Sequence, residues 1–320
     1  MRIPKNKTKI NILSFALLSI ILVGVLSTSI GASATYQLTL AKGTDEYIVE
    51  LYNDTDWKTT VDATLTPSEL FEGDANVTNA KSKITLKGWT TNTWDTFDVL
   101  TSIFMPEYFS ILEIFYLLDI IKDQGYNETT INANYTSEYT LWYGLRAVWN
   151  YTVNDYKEIP SYNDGVIILQ NPLDYKTMLD NYNTLALELN GNPAILPFSF
   201  PIISADDFLW QLALNGLAIA GPQTNYLESI VNELGCENAS VSGSKLIIER
   251  YGVTNYTVEI SYGEKGMMSS FTVKDISNTI IYQITSSNSD WIFYLILIIV
   301  AVSAVVIVTL LIIRKKKLHR

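Results

Sequence analysis

The sequence predicts an α+β fold: a large curved antiparallel sheet with helices packed on its concave side, followed by one C-terminal transmembrane helix. Three observations carry this expectation. Several runs alternate apolar and polar residues with period two, the mark of half-buried antiparallel strands. Between them lie segments opened by Asn or Ser caps and closed by Gly. Near the end, Trp291 to Ile313 holds no charged residue.

The elements follow in chain order. Met1 to Lys9 is basic, Ile12 to Ile30 is apolar, and Ala32-Ser33-Ala34 offers small residues for cleavage. Residues 1–34 therefore read as a secretory signal, with an uncleaved anchor as the alternative. Tyr47, Val49 and Leu51 fall in register within 45–52, and 81–90 reads the same way, so both are expected strands. Trp57, Val61, Ala63 and Leu65 share one parity, which predicts a further strand over 57–66. A helical stretch is expected over 96–122, broken before Pro106.

From Tyr139 to Thr152 the odd positions Tyr139, Leu141, Tyr143, Leu145, Ala147, Trp149 and Tyr151 are apolar without a break. A strand longer than about ten residues implies a large curved sheet, with Tyr143, Leu145 and Trp149 inside and Asn150 in water. Three capped helices follow: Asn171-Pro172 to Asn190-Gly191, Ser204 with Asp207 to Gly221-Pro222, and Asn225 with Glu228 to Gly235. A meander is then predicted over 245–251, 255–262, 267–274 and 279–286, punctuated by Gly-rich and Asp/Asn-rich turns. The uncharged stretch 291–313 is long enough to span a bilayer, with Trp291 at one interface and Arg314 to Lys317 at the other. The implied organisation is a signal over 1–34, an extracytoplasmic α+β domain over 35–290, a span over 291–313 and a basic cytoplasmic tail over 314–320. This is the layout of a single-pass cell-membrane protein with its body outside.

Rare residues exclude much chemistry. The sole His, His319, lies in the tail, so the body has no imidazole for a Ser-His-Asp triad or a His-ligated metal. Cys236 is the sole thiol, which rules out an internal disulfide or a Cys-rich metal cluster and leaves a buried inert thiol or a pairing between chains. Residues 35–290 carry 33 acidic against 13 basic side chains, a formal −20, which repels nucleic acid and anionic lipid. No cofactor, no metal and no nucleic acid are expected.

Seven Asn-X-Ser/Thr sequons make the body a candidate glycoprotein: Asn53, Asn76, Asn127, Asn134, Asn150, Asn238 and Asn255. Those at Asn134, Asn150 and Asn255 have Tyr between Asn and Thr and are expected on strands, with Tyr inward and Asn and Thr in water. Oxygen-bearing residues cluster at Asn53, Asp54 and Asp56 and at Glu72, Asp74 and Asn76, where calcium competes with ordinary polar turns. Asp206-Asp207 after Ser204 reads as a helix cap rather than a catalytic pair.

From Glu107 to Lys122 the polar residues recur every three positions, so they wind round a helix and leave it no proper solvent face. The segment from Pro106 to Ile121 is expected to lie against the sheet, covered on both sides. Phe109, Leu112, Phe115, Leu117 and Leu118 are then candidates to line or close an apolar-ligand site.

Two resemblances follow. The strand-turn-strand writing at Tyr262-Gly263-Glu264-Lys265-Gly266-Met267 is similar to the sheets of half-barrel lipid and lipoprotein carriers of bacterial envelopes. The overall layout resembles archaeal single-pass surface proteins. The first implies an apolar ligand, the second only a location. The expected function is a non-catalytic surface protein, not an enzyme, whose external domain binds a protein, a glycan or an envelope component. A tethered lipid carrier or sensor and a carboxylate-based hydrolase are the alternatives.

Overall fold

A computed structural model describes residues 35–39, 43–158, 165–196, 198–214 and 217–287. The chain divides into two compact units, Met1–Tyr36 and Gln37–Arg320, and every element below belongs to the second. Its strands are β1 (Gly43–Tyr52), β2 (Lys81–Asp95), β3 (Glu138–Thr152), β4 (Lys157–Glu158), β5 (Gly165–Leu169), β6 (Ala239–Ser242), β7 (Lys245–Tyr251), β8 (Asn255–Tyr262), β9 (Met268–Asp275) and β10 (Ile280–Ser286). They form one antiparallel sheet of ten strands in the order β4-β3-β2-β1-β10-β9-β8-β7-β6, with β5 also paired to β3.

The first strand lies beside the last, so the N-terminal strands and the predicted meander are joined only by long-range pairing. Register explains how they share a core. Val49, Ile284, Phe271, Ile260 and Leu246 are successive cross-strand partners on five adjacent strands, and each is at most 2% exposed. Tyr282, Val273, Val258 and Ile248 form a second such row. Each of these side chains contributes about 1.5–3 kcal/mol by burial.

Strict parity fails where a bulge intervenes. β1 shifts register between Val49 and Leu51, which leaves Leu51 on the surface although Tyr47 and Val49 are buried. Along β2 and β3 the register shifts between Lys81 and Lys83 and again between Leu86 and Gly88. An extra residue on one strand turns the following side chains to the other face. Tyr139, Leu141, Ala147 and Tyr151 are buried as expected, but Leu145 is 42% exposed, Tyr143 and Trp149 are half-buried, and Asn150 sits at the bulge with its Oδ1 buried and unpaired. Gly144 gives room for close packing, since a Cβ there would lie 2.6 Å from the Trp89 ring.

The helices are α1 (Asp54–Thr60), α2 (Pro67–Phe71), α3 (Thr96–Val99), α4 (Met105–Tyr108), α5 (Ile111–Asp123), α6 (Glu128–Asn134), α7 (Asp174–Asn190), α8 (Ala205–Leu214) and α9 (Gln223–Leu234), with a π turn over Leu100–Phe104. The strand expected over 57–66 is instead α1 and a turn. Asn53 caps it by accepting from the Asp56 N–H, and Trp57 is 1% exposed, its Nε1 donating to the Leu65 carbonyl at 2.8 Å. A single buried indole, edge-on to Tyr282, outweighs a chance alternation of short residues.

The break in the first helical stretch falls at Phe109, whose backbone is extended, and not before Pro106, which the first turn of α4 tolerates. Ser204 and Asp207 cap α8 as expected, yet the helix stops at Leu214, well before the Gly221-Pro222 expected to end it. α9 opens at Gln223 and closes on Gly235, in the left-handed conformation at φ 72° that glycine adopts without strain.

The transmembrane helix expected as part of this fold is corrected: among the described residues no helix is long and apolar enough to cross a membrane. The longest, α7, has 17 residues and carries Asp174, Lys176, Asp180 and Glu188. The span expected over 291–313, the signal over 1–34 and the tail over 314–320 lie outside the described residues.

Candidate functional site

The most unusual surface is built on α5. Ser110 opens the helix with a reciprocal cap: Glu113 N–H donates to Ser110 Oγ at 3.4 Å, and the Glu113 carboxylate accepts from Ser110 N–H and Oγ at 2.8 and 2.7 Å. Those bonds hold the Glu113 carboxyl below its ordinary range. Leu117 and Ile121 point inward and are fully buried, with Ile114 and Leu118 half-buried beside them. On the opposite side Ile111, Leu112, Phe115 and Tyr116 are 72, 81, 66 and 60% exposed. Their spacing of i, i+1, i+4 and i+5 makes one continuous ridge.

The expectation that α5 is covered on both sides is therefore overturned. Of the five lid candidates, Leu117 belongs to the core, Leu112 and Phe115 stand on the open surface, and Phe109 is half-buried with its ring centroid 5.1 Å from Phe200. Leu118 lines a cleft of about 730 Å³, and its neighbours there are largely polar: Asp119, Lys122, Asn127, Glu128 and Thr130, with Phe97 and Tyr126. Charged and hydroxyl groups in the wall make it a poor seat for an acyl chain.

Aromatic residues extend the ridge. Phe198 lies 5.8 Å from Tyr116 and 6.3 Å from Phe109 between ring centroids. This loop is held by asparagines of α7, a device the sequence reading missed. Asn190 donates to the Phe200 carbonyl and accepts from its N–H at 2.7 and 2.8 Å, and Asn183 does the same for Ile203 at 2.9 Å each. Both side chains imitate a strand neighbour for an irregular backbone. The only sequence signal is a recurrence of Asn on one helix, at 181, 183 and 190. From below, Phe104 stacks on Tyr182 at 3.9 Å, and Gln211 of α8 donates to the Tyr108 hydroxyl at 2.6 Å.

A second concavity of about 600 Å³ lies at the far end of the sheet, lined by Asp206, Asp207, Asn238, Glu249, Arg250 and Asn255 among others. Here the acidic pair is structural, as the cap reading expects. Asp206 accepts from the backbone N–H groups of Glu237 and Asn238 and from the Asn238 amide at 3.1 to 3.3 Å. Asp207 caps α8 and pairs with Arg250 at 3.1 Å; the Ser204 bond first, then Arg250, lowers its pKa. Both carboxylates are thus engaged in holding the start of α8 and the chain at 237–238. Cys236 is half-buried, and burial, with the Asp206 charge, pushes its thiol up to about 12, so it stays protonated.

The two clusters considered for calcium serve turns. Asp54 accepts from Lys58 and Tyr52, Asp56 pairs with the Asn53 amide, and Gly73 and Asp74 lie against the Tyr151 backbone. Among the described residues no three His, Cys, Asp or Glu side chains come together to hold a metal.

The sequons scatter over the surface. Asn150 and Asn255 lie on strands as expected, but Asn134 ends α6. Asn53 and Asn127 cap α1 and α6, and Asn76 accepts from Ser68 at 2.7 Å. Compared with protein-family models, with characterised proteins and with solved structures, the chain matches none, and neither resemblance read from the sequence gains a relative.

Proposed function

We propose that residues 37–287 form an exported, non-catalytic binding domain whose contact surface is the α5 ridge, and that its partner is a protein with an apolar patch rimmed by basic side chains. The observation that carries this reading is the exposure of Ile111, Leu112, Phe115 and Tyr116 on a single well-capped helix. Contiguous exposed apolar surface of this kind marks association sites, and a helix offering anchors at i, i+1 and i+4 suits a groove.

Charge selects among partners. Within 107–123, Glu107, Glu113, Asp119 and Asp123 stand against one cation, Lys122, and residues 35–290 carry a formal −20. An anionic bilayer and a second copy of the chain would both be repelled, whereas a basic rim would be attracted. The aliphatic side chains offer a glycan few polar contacts.

A photo-crosslinking residue in place of Phe115, with the same residue in place of exposed Tyr251 as control, tests the proposal in the native cell. The expected result is one discrete protein adduct at position 115, absent at 251, and lost when Leu112→Asp is added. Adducts to lipid alone, or to another copy of this chain, would overturn it.

A further inference from the structure

Seven sequons are equivalent as sequence but not as structure, because transfer of a glycan needs the Asn side-chain nitrogen. Four of the seven, Asn53, Asn134, Asn238 and Asn255, are exposed; Asn76, Asn127 and Asn150 are half-buried. Of the exposed four, Asn53 donates its Nδ2 to Asp56, and Asn238 donates its Nδ2 to Asp206 at 3.1 Å. The Asn134 and Asn255 amides make no side-chain hydrogen bond among the described residues. Both also stand at the ends of elements, Asn134 closing α6 and Asn255 opening β8 after the turn at 252–254. Asn150 is the opposite case, its Oδ1 buried at the β3 bulge.

We propose that Asn134 and Asn255 are the sites at which the folded chain accepts an N-linked glycan, and that the other five are closed by the fold. The co-reactant is a lipid-diphosphate-linked oligosaccharide. Asn Nδ2 attacks the anomeric carbon, a C–N bond forms, and the bond from that carbon to the phosphate oxygen breaks. The lipid diphosphate leaves with the electron pair, and the amide proton passes to the transferase. At Asn255 the glycan would stand over the concavity lined by Asp207 and Arg250.

The test uses the full chain, made without glycosylation and kept in a mild nonionic detergent. It is incubated with a single-subunit oligosaccharyltransferase that acts on folded proteins and with its lipid-linked donor. Seven short peptides, each spanning one sequon, serve as acceptors in parallel. Glycopeptide mass spectrometry should find Asn134 and Asn255 modified in the folded chain, with the other five at least ten-fold less occupied although their peptides react. Asp56→Ala removes the carboxylate that holds the Asn53 amide and leaves the backbone cap of α1, so it should open Asn53 as a third acceptor. Occupancy at Asn150 or Asn238 equal to that at Asn134 and Asn255 would overturn the proposal. So would silence at Asn134 and Asn255 while their peptides react, or an Asn53 that stays closed in Asp56→Ala.

Discussion

Helices α5 and α9 have nearly the same length, 13 and 12 residues, and opposite fates. In α9 the apolar residues Tyr226, Leu227, Ile230, Val231 and Leu234 fall on one stripe and are at most 7% exposed, with Glu228, Asn232 and Glu233 outside. In α5 the apolar residues outnumber the positions that one stripe can hold. Leu117 and Ile121 take the core, and Ile111, Leu112, Phe115 and Tyr116 are left in water. Burial is thus decided by arrangement around the helix rather than by total apolar content. A helix more apolar than its stripe needs a partner outside its own domain.

The largest effect expected from this contrast is on stability. Leu227→Ala in α9 should cost about 2–5 kcal/mol by emptying a packed site, whereas Leu112→Ala in α5 should stay within about 0.5 kcal/mol. Urea midpoints of the two variants measure this, and similar losses would show that the α5 ridge is covered. A smaller effect is expected at the support beneath the ridge. Asn190→Ala strips both bonds from Phe200 and should cost about 1–3 kcal/mol, with Phe198 released from Tyr116 and seen as altered near-ultraviolet dichroism. At the start of α5 itself, Ser110→Ala removes the reciprocal cap and should cost about 0.5–2 kcal/mol.

The smallest effect is in acid. Hydrogen bonds from Ser110 depress the Glu113 pKa in the folded chain. A depressed carboxylate contributes stability that is complete above its unfolded value, about 4.3, and is lost as pH falls through the folded one. Protection of the amides over 111–114, relative to their intrinsic exchange rates at each pH, should therefore fall below about pH 4. Helix α9 opens on Pro222 with no side-chain cap, and its first turn should show no matching step.

Much of the architecture was legible because it is local. Strands β7 to β10 are separated by recognisable turn residues, and each lies within a residue or two of its expected bounds. The caps of α8 and the closing Gly235 were readable for the same reason. The errors came where a distant contact outvoted the local pattern. Trp57 folds into a helix because Tyr282, over two hundred residues away, receives its ring. Leu145 reaches the surface although Leu141 and Ala147, of the same parity on the same strand, are buried, a difference that alternation alone does not reveal.

The candidate site divides in the same way. That α5 lacks a polar face, that Asp206 and Asp207 stand at a helix start, and that seven sequons exist are all properties of residue order, and sequence alone determines them. Which side of α5 the core takes, which loop Asn190 and Asn183 hold, and which sequon amides are already bound to carboxylates depend on partners remote along the chain. Tertiary structure alone decides those, because a hydrogen bond or a buried face exists only once both of its halves have been brought together.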